Sequence, residues 1–402
     1  MKESAGNLAT IQAKDVAAKA RVWESISRLT TWLEVNEWKG YDTFDGLSSG
    51  LLRPLTFETK FLRTVLQQGV RRFPINVRPL VGIKKSYSSK GMGFLARGFI
   101  RLFDLTGDPS WKQKAVIALD WLMENQSPGY SGACWGNHFD YQSRGFYLPK
   151  GMPTIVWTSH IAHSFLDAFE RFGEQRYLET AVSACEHILQ DLGTFADGRG
   201  VCLNYIPTQS SNCHNSNTLG ASLLARTYAH TRNESYLALA ESAMHYTAQY
   251  QRADGSWFYA EATNSHWVDN FHTAYVLDCF KWYAQGSGDH QFDGHLRRGY
   301  EYWKATFFLS DGTPRYYDRK TWPIDIQCSS QAIDTLLFFH DMDPDSTDLA
   351  LKVAEWTITH MQDASGYFYY RRYPLGIVNK TPTLHWGQAT MLSALASLYG
   401  RL

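Results

Sequence analysis

A short turn between two helices recurs along this chain, and its layout restricts the fold more than any other feature. In each copy a residue suited to end one helix precedes a residue suited to begin the next, and an aromatic residue follows three positions later. The copies are TGDPSW (106–111), FGEQRY (172–177), TRNESY (231–236) and SGDHQF (287–292). Each copy predicts a helical hairpin.

The two helices of each predicted hairpin differ in composition. The helix before the turn is rich in small and apolar residues, as in NTLGASLLARTYAH, whereas the helix after it carries more charge and one apolar stripe, as in SYLALAESAMHYTAQY. We interpret the first kind as inner helices and the second as outer helices. Counted this way, five hairpins lie between Ser88 and Met361, about one every 50 to 70 residues.

The chain ends favour closure of these hairpins into a ring. An unpartnered outer helix, AAKARVWESISRLTTWLEV, lies near the start, and an unpartnered inner helix, HWGQATMLSALASLYG, lies near the end. Pairing them predicts an all-α fold, an (α/α)6 toroid that forms a single domain over 1–402, with residues 56–70 as an extra helix. An open solenoid is the structural alternative.

Longer segments rich in glycine and aromatic residues lead from each outer helix to the next inner helix. They predict short β-hairpins or ordered loops on one face of the ring, while the short turns occupy the other face. Function is expected on the loop face, because binding residues concentrate on loops held by a rigid scaffold. A stretch from Gln251 to Tyr275 is the densest of these segments in aromatic, acidic and histidine residues.

Acidic and histidine residues on the loop face are candidates for acid/base chemistry. Asp269 and His272 are three residues apart, so both can project from the first turn of one helix. Asp269 and Asp325 could instead be helix N-caps, and a lone histidine is often structural. The predicted catalytic residues are Asp269, Asp325, Asp140, His272 and His214.

Aromatic, amide and basic residues at matching repeat positions predict a carbohydrate pocket, where rings stack on sugar faces and polar groups bind hydroxyls. Arg144, Arg371 and Arg372 could clamp a substrate carboxylate or phosphate, or could be rim charges. The predicted substrate-binding residues are Trp135, His138, Tyr141, Arg144, Trp157, His160, Asn215, Asn217, Trp257, Tyr259, Trp267, Tyr316, Gln327, Arg371, His385, Trp386 and Gln388.

No cofactor or metal is predicted. Cys134, Cys202, Cys213 with His214, and Cys328 fall on the loop face, but their spacing matches no zinc motif. The run DMDPD (341–345) resembles a calcium or diphosphate site, yet it falls at a turn away from the pocket, where a solvated cap is the better interpretation.

Charge and hydropathy exclude several partners. The 39 basic and 39 acidic residues balance, so neither nucleic acid nor an anionic membrane is expected. The N-terminal residues contain no apolar signal segment, and no long apolar run predicts a membrane span. The six cysteines are scattered, which is typical of reduced thiols. We therefore expect a cytoplasmic protein.

Two family resemblances add to this. QRADGSW (251–257) resembles the Q-x-x-D-G-S-W repeat of triterpene cyclases and prenyltransferases, which are α/α toroids. Broader similarity, in YDTFDGL, NVRPLVGI, SPGYSGACWGNHFDYQSR, NCHNSNTLGASLLAR and DGTPRYYDRKTWPIDIQCSSQAI, links the chain to the VpsJ-like bacterial polysaccharide-biosynthesis proteins. This resemblance implies a toroid that acts in exopolysaccharide or cell-surface polysaccharide metabolism, with possible peripheral contact with the synthesis machinery.

Three functions follow as hypotheses. The leading one is an enzyme that performs acid/base chemistry at a glycosidic bond, like a glycoside hydrolase or a lyase. The second is a sugar epimerase or isomerase that uses paired histidine bases drawn from His214, His272 and His385. The third is a non-catalytic, glycan-binding subunit of polysaccharide assembly. In each case the partner is a saccharide or a sugar conjugate.

Overall fold

A computed structural model describes the backbone of residues 2–402 and the side chains of residues 16–402. Its helices are α1 (Lys2–Val35), α2 (Lys60–Arg72), α3 (Ser89–Thr106), α4 (Pro109–Glu124), α5 (Ile155–Phe172), α6 (Gln175–His187), α7 (His214–Thr231), α8 (Glu234–Gln249), α9 (Asn270–Ser287), α10 (Asp293–Thr306), α11 (Ile326–Phe338), α12 (Ser346–Met361) and α13 (Thr390–Arg401).

These helices form two concentric rings. The inner ring runs α3, α5, α7, α9, α11 and α13, and α13 packs against α3 to close it. Helices α4, α6, α8, α10 and α12 pack outside their hairpin partners, and α1 packs against α13. The predicted (α/α)6 toroid is therefore confirmed, and the open solenoid is wrong.

The predicted turn chemistry also sets the ends of the helices. Gly107, Gly173 and Gly288 end α3, α5 and α9 in the left-handed conformation, with φ of 68°, 71° and 76°. Asp108 then caps α4 by accepting a hydrogen bond from the backbone of Ser110. The extra helix predicted over 56–70 begins later, at Lys60, because Thr59 caps it through its side chain.

Short strands mark the loop face. The pairs are antiparallel: β1 (Tyr141–Gln142) with β2 (Tyr147–Leu148), β3 (Thr194–Ala196) with β4 (Val201–Leu203), and β6 (Arg371–Arg372) with both β5 (Ile324–Asp325) and β7 (Val378–Asn379). They brace the segments that enter the inner helices. The main hydrophobic core lies between the two rings of helices.

The stretch that resembles the cyclase repeat is structural and occurs twice. Gln251 Nε2 donates to the carbonyl of Gly255 and to that of His295, both at 2.9 Å. Gln362 repeats this geometry with Gly366, at 2.8 Å, and with the N-terminal helix. The two glycines have φ of 91° and 108°, and a Cβ at either would come within 2.5 Å of a backbone oxygen in the next outer helix. The repeat therefore fastens each turn to the neighbouring hairpin.

Candidate functional site

The N-terminal ends of the inner helices surround a cavity of about 650 Å³ on the loop face. We call it the loop-face pocket. Side chains from α3, α5, α7 and α9 reach it, together with the residues just before α13 and the segment between α1 and α2. The pocket thus draws on parts of the chain that are far apart in sequence.

One histidine–carboxylate pair opens α9. Asp269 caps the helix, because its Oδ1 accepts the backbone N–H of His272 at 3.0 Å. Its Oδ2 lies 2.7 Å from His272 Nδ1 and also accepts from Trp267 Nε1 at 3.0 Å. The capping and functional interpretations of Asp269 therefore coexist, since one oxygen caps the helix while the other orients the imidazole.

A second histidine–carboxylate pair comes from opposite ends of the chain. Backbone hydrogen bonds join Tyr41 to Pro382 and Leu384, which lays residues 40–42 beside the turn that precedes α13. This pairing brings Asp42 Oδ2 within 2.5 Å of His385 Nδ1, an ion-pair distance, although the two atoms are not aligned as a regular hydrogen bond. Asp42 is 1% exposed and His385 is 5% exposed.

The charge of Asp42 is fixed by its surroundings. Burial raises the pKa of this carboxyl, but His385, His138 and the backbone N–H of Phe44 together hold it at about 2. Asp42 is consequently ionised at neutral pH. Burial lowers the pKa of His138 to about 4, so this imidazole stays neutral behind the pocket wall.

A buried lysine also lines the pocket. Lys90, in the first turn of α3, is 4% exposed. Burial lowers its pKa to about 7, and Asp42 opposes that shift. The ammonium lies 5.7 Å from the ring centre of Tyr275 and 5.8 Å from that of Phe94. Lys90 is thus close to its titration point at neutral pH.

Aromatic side chains form much of the wall. Trp267 stacks on Tyr259 with ring centres 4.6 Å apart and an interplanar angle of 11°. The guanidinium of Arg144 lies over Trp267, and Phe271 packs edge-on against Trp386. Flat, partly polar rings of this kind suit the faces of sugars.

Many predicted site residues line this pocket. They are Tyr141, Arg144, Trp157, Asn215, Tyr259, Trp267, Asp269, His272, Tyr316, His385 and Trp386.

Three of the five predicted catalytic residues do not line the pocket. Asp325 is 1% exposed, caps α11 and is bonded to Arg371. Asp140 forms an ion pair with Arg53. His214 is turned toward Glu261, with Nε2 2.8 Å from Oε1. His214, Asp325 and Asp140 are therefore not part of the pocket lining, and each has a polar partner of its own.

Several predicted binding residues are structural. Trp135 and Trp257 each donate from Nε1, at 2.8 Å, to a carbonyl at the end of the preceding outer helix. Asn217 and Gln388 accept hydrogen bonds from the loop backbone at Leu203 and Phe368, and Arg371 forms an ion pair with Asp325. The predicted residues that do not line the loop-face pocket are Trp135, His138, His160, Asn217, Trp257, Gln327, Arg371 and Gln388.

Several pocket residues were not predicted from the sequence. Asp42 and Phe44 lie in YDTFDGL, which the sequence links only to the family resemblance, and Arg71 lies in the last turn of α2. Lys90 and Tyr275 lie within predicted inner helices, where core packing was the expectation. A lysine at the start of an otherwise apolar inner helix was the available signal, because lysine is rarely buried.

A second cavity of about 480 Å³ lies among the C-terminal halves of the inner helices. We call it the turn-face cavity. Tyr275 lines both cavities and so lies between them, and His160 lines only this one. Three of the four arginines that line it are paired: Arg97 with Asp167 and Arg101 with Asp334, both at 2.7 Å, and Arg171 with Asp104.

The described residues contain neither a metal-binding cluster nor a membrane-spanning helix. No group of three or more His, Cys, Asp or Glu side chains there could hold a metal ion. In DMDPD, Asp343 accepts from Tyr300 at 2.7 Å and from Lys304, so it joins this turn to α10 of the neighbouring hairpin. Within residues 2–402, no helix is long and apolar enough to cross a membrane.

Comparisons with known proteins identify the fold and leave the family open. No protein-family model and no curated protein matches the chain. Among solved structures, a cellobiose 2-epimerase from Bacillus thermoamylovorans is 11% identical over 78% of this chain and 88% of its own, with a TM-score of 0.63. A GH76 α-mannanase from Bacteroides thetaiotaomicron is 15% identical over 79% and 88%, with a TM-score of 0.60. A D-mannose isomerase is 13% identical over 78% and 87%, with a TM-score of 0.58.

These neighbours process carbohydrates by different reactions. Their sequence identity is too low to transfer any one activity, so they show that this chain shares the toroid fold of sugar-processing enzymes. The reaction has to be inferred from the site itself.

Proposed function

We propose that this protein is a carbohydrate-active enzyme that moves protons at a carbon next to a carbonyl group, as a sugar epimerase or isomerase does. The observation that carries the proposal is the presence of two histidine–carboxylate pairs, His272 with Asp269 and His385 with Asp42, in one aromatic pocket. The structural similarity to a cellobiose 2-epimerase and a D-mannose isomerase supports it.

Each pair suits a general base. In both, Nδ1 faces a carboxylate, which leaves Nε2 to meet a substrate, and neither Nε2 forms a hydrogen bond with the described residues. A carboxylate beside one ring nitrogen fixes the imidazole orientation and stabilises the imidazolium that forms after proton uptake.

The expected reaction uses the two imidazoles in turn. One removes the proton from the carbon next to the carbonyl of an open-chain sugar, and the electron pair moves onto the carbonyl oxygen as an enolate. In an epimerase the other delivers a proton to the opposite face of the same carbon. In an isomerase the hydroxyl proton on that carbon first moves to the former carbonyl oxygen, and a proton is then delivered to the former carbonyl carbon as the new carbonyl forms. Protons and electrons balance without a further reactant.

Hydrolysis by two carboxyl groups fits the pocket less well. Asp42 and Asp269 are the carboxylates that line it among the described residues, and each is held by a histidine. A hydrolase needs one carboxyl group that carries a proton at neutral pH. Asp42, with a pKa of about 2, cannot supply it.

Cleavage by elimination is the second candidate, because it also begins with removal of a proton from carbon and could use the same two bases. The resemblance to VpsJ-like proteins supports a place in exopolysaccharide or cell-surface polysaccharide metabolism for either reaction. A cytoplasmic location is part of the proposal, and the six unpaired cysteines, all in the described part of the chain, favour it. A non-catalytic glycan-binding subunit would use the same pocket without turnover.

Incubation in D2O tests the proposal. The protein is mixed with reducing sugars such as cellobiose, D-mannose and D-glucuronate, together with uronate-containing oligosaccharides. An epimerase or isomerase puts deuterium on carbon, which mass spectrometry and proton NMR detect. An eliminase yields an unsaturated product. Release of a saturated sugar without deuterium on carbon would contradict the proposed proton transfer, and binding without any turnover would favour the glycan-binding subunit.

Substitution of the two bases should abolish the exchange. His272→Gln and His385→Gln are each expected to lower kcat/KM by about 100-fold or more, since general acid–base catalysis contributes that much. His214→Gln is the matched control, because His214 is buried against Glu261 outside the pocket. Circular dichroism establishes that each variant is folded. Full activity of either pocket variant would refute its role as a base.

A further inference from the structure

The basic side chains of the loop-face pocket have no carboxylate partners among the described residues. Arg71 donates from Nε to the hydroxyl of Tyr370 at 2.8 Å, and Arg144 donates from Nη1 to the carbonyl of Asn264 at 3.0 Å. Lys90 forms no hydrogen bond or ion pair with any described residue, and its ammonium lies among rings. Hydrogen-bonding capacity therefore remains free on cations that line the pocket.

The turn-face cavity shows the opposite arrangement in the same molecule. Arg97 and Arg101 form ion pairs with Asp167 and Asp334, and Arg171 pairs with Asp104. The fold is thus able to pair the arginines that line a cavity. The absence of carboxylate partners for the described cations of the loop-face pocket is therefore specific to that pocket and not a general feature of the fold.

The balance of charge in the loop-face pocket is positive. Lys90, Arg71, Arg72 and Arg144 line it, against the two carboxylates Asp42 and Asp269. Both carboxylates are already engaged by histidines. The inner helices add to the excess, because their N-terminal ends face the pocket and carry partial positive charge.

Among the pocket cations, Lys90 is the one whose charge is least favourable without a neighbouring anion. It is 4% exposed and stands in the first turn of α3, where burial and the helix dipole both disfavour a cation. Methionine or leucine would fill this position at lower cost. The presence of lysine at this position is explained if a bound ligand places a negative charge beside its ammonium group.

We infer that the substrate of this pocket is an anionic sugar, whose carboxylate or phosphate group meets Lys90, with Arg71 and Arg144 available to the same or a neighbouring group. This inference rests on the proposed function, since it names the substrate class of that site. Guanidinium groups suit both anions because their paired N–H groups match carboxylate and phosphate oxygens. For proton removal next to a carboxylate, the cations would also stabilise the negative charge that develops.

Binding measurements with three matched sugars test the inference. Isothermal titration at low salt compares D-glucuronate, D-glucose 6-phosphate and D-glucose. We expect one of the two anions to bind at least tenfold more tightly than glucose, and the better of the two identifies the anionic group. Its affinity should fall between 20 and 500 mM NaCl, whereas that of glucose should not.

Variants locate the charge contact. Lys90→Met should remove about tenfold of the affinity for the preferred anion, and with it most of the difference between that affinity and the affinity for glucose. Arg171→Met, which removes a paired cation of the turn-face cavity, should change neither. Equal binding of glucose and both anions, or full anion affinity in Lys90→Met, overturns the inference. Tight glucose binding with turnover but no preference for anions would refute the substrate class alone, whereas failure of all three sugars to bind would count against the proposed function as well.

Discussion

The two cavities of this toroid share helices α3, α5 and α9, yet their charged side chains are paired in opposite ways. In the turn-face cavity Arg97 and Arg101 face carboxylates within ion-pair distance, whereas in the loop-face pocket Lys90 and Arg71 face none in the described part of the chain. The pocket carboxylates pair instead with histidines. Ion pairs between buried arginines and carboxylates hold the helices together, whereas cations and imidazole nitrogens without such partners are available for a ligand.

Helix polarity contributes to this difference. The turn-face cavity lies among the C-terminal halves of the inner helices, where the partial negative charge of the dipole favours arginine. The loop-face pocket lies at the N-terminal ends, where the dipole favours anions, and Asp269 caps α9 there. The helix dipole therefore does not explain the cations at the N-terminal ends, and an anionic ligand does.

The largest expected effect separates the two cavities by turnover. Asp42→Asn removes the charge beside His385 and should lower kcat/KM by about 100-fold or more, because the imidazolium loses its stabilising partner. Asp278→Asn, a buried carboxyl of the turn-face cavity, is the control and should keep turnover within a few-fold. Steady-state kinetics on the sugar that exchanges deuterium measures both. Similar losses in the two variants would remove the functional distinction between the cavities.

The next effect separates them by stability. Asp167 lies 2.7 Å from Arg97 and 2.9 Å from Arg226, two arginines whose side chains are about nine-tenths buried. Asp167→Ala leaves both guanidiniums without that partner and should lower the free energy of unfolding by about 3 kcal/mol. Sugar binding should be unchanged. Urea unfolding provides the measurement.

The control for Asp167 is Asp104→Ala. It breaks the ion pair with Arg171, which is far more exposed, so less than about 1 kcal/mol should be lost. An equal loss in both variants would mean that burial does not give the turn-face network its strength.

The smallest effect concerns pH. Burial raises the pKa of Asp278 to about 8, although Thr335 lowers it. The folded protein therefore retains a proton that the unfolded chain releases near pH 4, so folding loses stability as pH rises toward 8. Asp278→Asn has no such proton. Its free energy of unfolding, relative to that of the wild type, should therefore rise by at most about 1.4 kcal/mol between pH 6.5 and 7.5. Thermal unfolding at a series of pH values detects this, and a constant difference between the two proteins would contradict it.

The comparison also explains which site residues could be predicted from sequence. Asp269 and His272 were predictable because helix geometry alone places residues three apart on one face. The pairing of Asp42 with His385 was not, because it depends on backbone hydrogen bonds between Tyr41 and the segment that enters α13. Trp135 and Trp257 were misassigned to the pocket, because a sequence pattern does not reveal that an indole N–H is directed to a helix carbonyl.

By itself the sequence determined the repeat, the alternation of inner and outer helices and the face on which the loop-face pocket lies. These depend on local properties, namely turn residues, helix caps and apolar periodicity. Only the tertiary structure decided which polar residues meet. Ring closure brings Asp42 to His385 across more than three hundred residues, and it gives His214, Asp325 and Asp140 partners outside the pocket. The physical reason is that a charged side chain takes its role from its nearest partner, and in a ring that partner is often distant along the chain.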